Sequence, residues 1–198
     1  MSEQELDVRA TPKPDRHPLI FQSFEDLAVG EAFVLVDSHD PKHLRGEFDR
    51  DYPLGYAWDY LDRSPDAWRI RIGKLASTSL PRILGDTALL AAGDRDVSGA
   101  VWKLQMSRRD LDANVVQLPP NAAIDTHVGP DLDVLLVVVA GDGQLTTERS
   151  TIELHAGALV WLPRRSRRGF RAGPGGLQYL TVHQRRQSLV ITTTAGRG

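Results

Sequence analysis

The side chains able to do chemistry are unevenly spread along this chain. Cysteine is absent, so disulfides, thiolate metal sites, iron–sulfur clusters, cysteine nucleophiles and persulfides are all excluded. Any metal would depend on six histidines and on carboxylates. His39, Asp40 and His43 fall close together. At a helix start such a group binds a metal or an anion, and His17 is a further candidate. The simpler reading has Asp40 capping the helix, with the histidines exposed or locally bonded. From Ser150 onward there are eight arginines against one acid, Glu153. In their densest run, Arg164, Arg165, Arg167 and Arg168, an inward-pointing Arg168 would offer forked donors matched to a carboxylate or phosphate. Such a run also commonly solvates a loop or pairs with acids such as Asp131 and Asp133 across a subunit contact.

The charge is asymmetric. Residues 1–74 carry ten Lys and Arg against fifteen Asp and Glu, and residues 75–198 carry fourteen against eleven. The positive bias is local and its neighbour is acidic, so nucleic-acid binding is not expected. A hydrophobic content of 41% supports a real core. No apolar run reaches eighteen residues, and the opening residues lack the apolar stretch of a signal peptide. A cytoplasmic protein without a membrane partner is the expectation.

The elements that must position these residues follow from pattern. Leu6–Val8 reads as a short strand, and Thr11-Pro12-Lys13-Pro14 as a helix entry. A helix over about 15–27 would place Ile20, Phe21, Phe24 and Leu27 on one side. Ala32–Val36 reads as a buried strand, and Asp40-Pro41 as an N-cap and first helical residue. Tyr56–Leu61 and Trp68–Ile72 form a hairpin around Ser64-Pro65-Asp66. The order is β-α-β-α-β-β, a two-layer sandwich over 1–74. Residues 75–98 read as a connector with a short helix from Pro81 to Ala91. From residue 99 to 198 short strands recur, at 101–106, 113–118, 134–140, 143–147, 158–162, 177–183 and 188–193, as in an all-β barrel or sandwich. Val134–Val139 reads as a strand covered on both faces, and Asp142-Gly143 as the tight turn after it. The fold class is therefore α+β.

Gly141-Asp142-Gly143, the spacing Gly157 to Pro163, and Phe170 together resemble the cupins over roughly half the chain. The resemblance implies a double-stranded β-helix barrel, and a homodimer formed through it. It also implies a divalent metal held by two histidines, a glutamate and a later histidine. Here those positions fall on His127, Gly129, Val134 and Arg168, and Arg165 replaces the glycine of the second motif. Successive strand residues face opposite sides, so Asp133 cannot stand in for Val134 without a bulge or register shift. One histidine is too few for a catalytic metal, and an arginine repels one. No metal and no other cofactor is expected.

Leu6–Arg9, Leu27–Glu31, Ser38–Pro41 and the Trp58/Trp68 hairpin resemble an uncharacterised bacterial family related to the TusA-like (SirA-like) sulfur carriers, over residues 5–74. Carriers of that fold use Cys-Pro-x-Pro at the first helix. Thr11 stands there instead, and a hydroxyl cannot carry a persulfide.

The reading these residues favour is a non-enzymatic or regulatory binding protein. His127, Arg165, Arg168, Tyr179 and His183 would anchor a small anionic metabolite against an apolar wall of Val134, Leu136 and Val138. His17, His39, Asp40 and His43 form a secondary site. One alternative is an enzyme, either metal-dependent through His127, Asp125 or Asp133, and His183, or metal-free with His127 or His183 as acid/base. Another is a homodimeric assembly module with a vestigial pocket.

Overall fold

The computed structural model describes residues 4–64 and 67–185. The expected strand at 188–193 and the turn residues Pro65 and Asp66 lie outside the described residues. The chain divides into two compact units. One comprises the described residues up to Ile83 together with Met106–Arg108, and the other Leu84–Gln105 with the described residues from Arg109 onward. Residues 84–98, expected as connector, thus group with the C-terminal unit.

The N-terminal unit runs β1 (Gln4–Asp7), α1 (Lys13–Asp26), β2 (Ala32–Asp37), α2 (Lys42–Asp51), β3 (Tyr56–Ser64) and β4 (Ala67–Lys74). Its sheet has the order β1-β2-β4-β3. β1 is parallel to β2, and the other pairs are antiparallel. Ile20, Phe21 and Phe24 of α1 and Leu44 and Phe48 of α2 close over Phe33, Leu35, Ile70 and Ile72 of the sheet. Aromatic rings continue this core, with Phe21 stacked on Phe48 at 4.6 Å and Phe24 edge-on to Phe48 at 5.0 Å.

Asp40 is not the cap of α2. The helix begins at Lys42 with Pro41 as N-cap and no side-chain cap. The Asp40 carboxylate instead accepts a hydrogen bond from the Tyr60 hydroxyl at 2.9 Å.

The C-terminal unit contains α3 (Thr87–Ala91), β5 (Gly99–Lys103), β6 (Leu111–Leu118), β7 (Ala123–Val128), β8 (Val134–Thr146), β9 (Thr151–His155), β10 (Leu159–Leu162) and β11 (Arg167–Gln184). α3 is shorter than expected. Asp86 caps it through a bond from the Ala88 N–H, which fixes the start well after Pro81. The sheet order is β10-β8-β11-β6-β5, with β7 on β11 and β9 on β8.

β8 and β11 run through the whole unit. The expected turn at Asp142-Gly143 is a correction: β8 continues through it and pairs onward with β9 and the first half of β11. Its glycines serve close approach instead. Gly141 has a φ of +75°, and a side chain there would collide with the Gly176 carbonyl. The expectation that Val134–Val139 is covered on both faces also fails. Val134, Leu136 and Val138 are buried, whereas Leu135 is 43% exposed. The core joins these residues to Leu145, Leu154, Leu162, Phe170, Leu177 and Tyr179.

Candidate functional site

Strand alternation decides which side chains meet. Tyr179, Thr181 and His183 of β11 stand in register with Val138, Leu136 and Val134 of β8. Cross-strand partners share a face, so all three belong to the core side of the sheet. Tyr179 is 4% exposed and lies parallel to Phe170, their centroids 5.3 Å apart. His183 is half-buried near the strand end, with Nδ1 3.0 Å from the Gln184 carbonyl oxygen.

Arg168 is the unusual residue. It is 5% exposed, and its Nη1 has no hydrogen-bond partner. Among the described residues no carboxylate is ion-paired with it. Gly129, itself buried, leaves the space that the guanidinium fills. Burial pushes the Arg168 pKa below the ordinary guanidinium value, and the charge of nearby Tyr179 acts the other way. The Tyr179 hydroxyl is in turn pushed up to about 12, chiefly by burial. Arginine keeps its proton in proteins, so the cation is real. An uncompensated buried charge costs several kcal/mol.

A cavity of about 310 Å³ opens beside it. Its lining combines Leu145, Ile152, Val160 and Leu162 with Thr147, Ser166, Arg149, Arg167 and Arg168. Three arginines and one acid, the exposed Glu148, belong to this lining.

The other anchors expected from the sequence are placed differently. His127 pairs with Arg168 across β7 and β11. Its side chain is exposed, and its Nδ1 lies 2.9 Å from the Asp125 carbonyl oxygen. Arg165 is on a surface turn in bidentate contact with Asp131, at 3.0 and 2.8 Å. The structure therefore does not bring Arg165 to Arg168. Asp133 accepts a bond from the Arg164 backbone N–H at 2.9 Å, while Val134 turns inward. Arg149, Thr147 and Ser166 were missed by sequence reasoning, since nothing local tells which loop residues border a cavity.

Known proteins give the following comparison. A family model described as "Uncharacterized conserved protein (DUF2249)" matches residues 5–74. No curated protein matches the chain. Similar solved structures include the polyketide cyclase RemF of Streptomyces resistomycificus, 22% identical, covering 45% of this chain and 69% of that one, with a TM-score of 0.39. A cupin protein of Bacteroides fragilis is 21% identical over 47% of this chain and 81% of its own, TM-score 0.37. A cupin-2 domain protein of Shewanella frigidimarina is 14% identical over 52% and 95%, TM-score 0.41.

The cupin metal does not fit the residues present. An aliphatic side chain, a glycine and a buried guanidinium occupy three of its four positions, and the guanidinium would repel the ion. Among the described residues no three His, Asp or Glu are grouped to hold a metal.

The N-terminal candidates do converge. His17, His39, Asp40 and His43 all line one concavity of about 460 Å³. Sequence reasoning missed Lys13, Arg16, Asp37 and Lys42 in the same lining. Asp37 is 4% exposed, accepts from Arg16 Nη1 at 3.3 Å and from the Ser38 N–H at 2.7 Å, and lies 3.3 Å from His39 Nδ1. His17 Nδ1 is 3.0 Å from Glu47. No helix among the described residues is long and apolar enough to cross a membrane.

Proposed function

We propose that the C-terminal unit is a binding protein for a small anion, held by Arg168 in the cavity beside it without a metal. The observation that carries this reading is the buried guanidinium with an unpartnered Nη1. A carboxylate or other oxyanion would supply the missing acceptor and counter-charge, and a charge-assisted bond of this kind is about twice as strong as a neutral one. The apolar wall would take the body of an organic anion. Tyr179, stacked on Phe170, is electrostatically coupled to Arg168 but lies outside the cavity lining. His183 sits on the same face toward the strand end. The role this reading gives the unit is sequestering or sensing.

The test is thermal unfolding of the full chain with acetate, benzoate, phosphate and sulfate. A bound anion at 100 times its Kd adds about 2.7 kcal/mol of stability. Lack of response to every anion, at neutral and mildly acidic pH, would refute the reading.

A second reading is self-association, favoured by the outer face of β10 and β8. Leu159, Trp161 and Leu135 are 67%, 65% and 43% exposed there, with Trp161 and Leu135 directly paired. Sedimentation of the wild type and Trp161→Lys tests it: a dimer that the substitution dissolves supports the reading, and a wild-type monomer removes it.

A further inference from the structure

The concavity of the N-terminal unit is a separate feature with its own chemistry. We infer that it binds a tetrahedral oxyanion, of the phosphate or sulfate class, and that binding takes up a proton on the imidazoles that line it.

Basic residues line this space from three places, with the Arg16 guanidinium bonded to Thr11, Asp37 and Arg9. Lys13, Arg16 and His17 come from the first turns of α1, His39 from the loop after β2, and Lys42 and His43 from the start of α2. The acids of the lining are Asp37 and Asp40, and both are already engaged. Asp37 is bound by Arg16, Ser38 and His39, and Asp40 by the Tyr60 hydroxyl, with Lys42 at 3.9 Å. Neither helix has a side-chain cap, and α1 and α2 are 14 and 10 residues long. Their positive ends add to the side-chain field.

The hydrogen bonds set how the imidazoles behave. Nδ1 of His17 lies against Glu47, and Nδ1 of His39 against Asp37. A neutral ring that donates from Nδ1 carries a lone pair on Nε2, which an oxyanion avoids. Once protonated, the ring donates from both nitrogens, so Nε2–H can bond the oxyanion while Nδ1–H keeps its carboxylate. An oxyanion would therefore enter with a proton. Counting Lys13, Arg16 and Lys42 against Asp37 and Asp40, the lining is +1 with neutral histidines and +4 with all three charged. A metal is disfavoured, because among the described residues no three ligands are grouped for one.

The experiment is calorimetric titration of the full-length chain with sulfate, whose own charge is constant over the range, at about pH 5.5 and about pH 8. Arg168→Met is used as background so that the other cavity does not contribute. Binding is expected at the lower pH and about tenfold or more weaker at the higher one, as coupled uptake of a proton requires. His17→Gln, His39→Gln and His43→Gln together should flatten that dependence, and Lys13→Gln should weaken binding at both pH values. Inorganic phosphate and glycerol phosphate, titrated in parallel, separate a free anion from an ester-borne one. Absence of sulfate binding by Arg168→Met at pH 5.5, or equal affinity at the two pH values, overturns the proposal and leaves the Arg168 reading to its own test.

Discussion

The guanidinium of Arg168 occupies the space in which a side chain on Gly129 would stand. A Cβ added to Gly129 would lie 2.5 Å from Cζ and 2.8 Å from Nε of Arg168. Two positions that would hold metal-binding histidines in the resembled family are thus filled by one arginine and the gap that admits it. The substitutions are complementary in volume and opposite in sign to a metal site.

Gly129→Ala should therefore act through Arg168. Gly129 is outside the positive-φ set, so its backbone tolerates alanine and only the added methyl matters. Displacing a packed buried group costs about 1–3 kcal/mol. Melting curves should show that loss, and anion titration a parallel loss of affinity. Unchanged affinity would mean that the anion does not touch the guanidinium in this position.

Arg165 supplies the opposite case. It holds a φ of +57° where the resembled motif has glycine, a conformation costing an L-residue about 1–2 kcal/mol. Glycine would relieve that strain, at about 0.5–1 kcal/mol of chain entropy. The exposed Asp131 contact it gives up is worth about 0–1 kcal/mol. Arg165→Gly should leave stability within about 1 kcal/mol of wild type and anion binding unchanged. A lost thermal response would return Arg165 to the site.

Tyr179 makes a prediction at high pH. Burial of the ring pushes its folded pKa up to about 12, above the ordinary tyrosine value of about 10. The stability linked to it is full below about pH 10 and is lost as pH rises toward 12, because the unfolded chain ionises first. Two pH units correspond to about 3 kcal/mol. Tyr179→Phe should lessen the alkaline loss by a substantial part of that amount while changing little at pH 7. Denaturant unfolding at both pH values checks it.

Local pattern made some of this legible. Ala32–Val36 reads as a strand because five apolar residues follow a glycine turn, and β2 spans Ala32–Asp37. The inward set of Val134, Leu136 and Val138 follows from period-2 alternation. What escaped depends on distant partners. β7 and β9 are short and mostly exposed, giving the core only Ile124 and Leu154, so they carry a weak hydrophobic signal and are defined by pairing with β11 and β8. Gly141-Asp142-Gly143 carries a turn's chemistry, yet the crossing of β11 makes it a point of close approach. His17 and His43 share a cavity because two helix starts converge on it, which spacing along the chain does not encode. Arg168 and Arg165 are indistinguishable as residue types, and only the fold buries one and exposes the other.

The most direct measurement is the stability of Arg168→Met beside wild type, with and without the anion that gives the largest thermal response. Removing an unpaired buried charge in favour of an apolar side chain of similar length should stabilise the ligand-free protein by about 1–4 kcal/mol. The same change should abolish the anion's effect at the Arg168 cavity. A ligand-free Arg168→Met protein several kcal/mol less stable than wild type, still responding to that anion, would contradict the account.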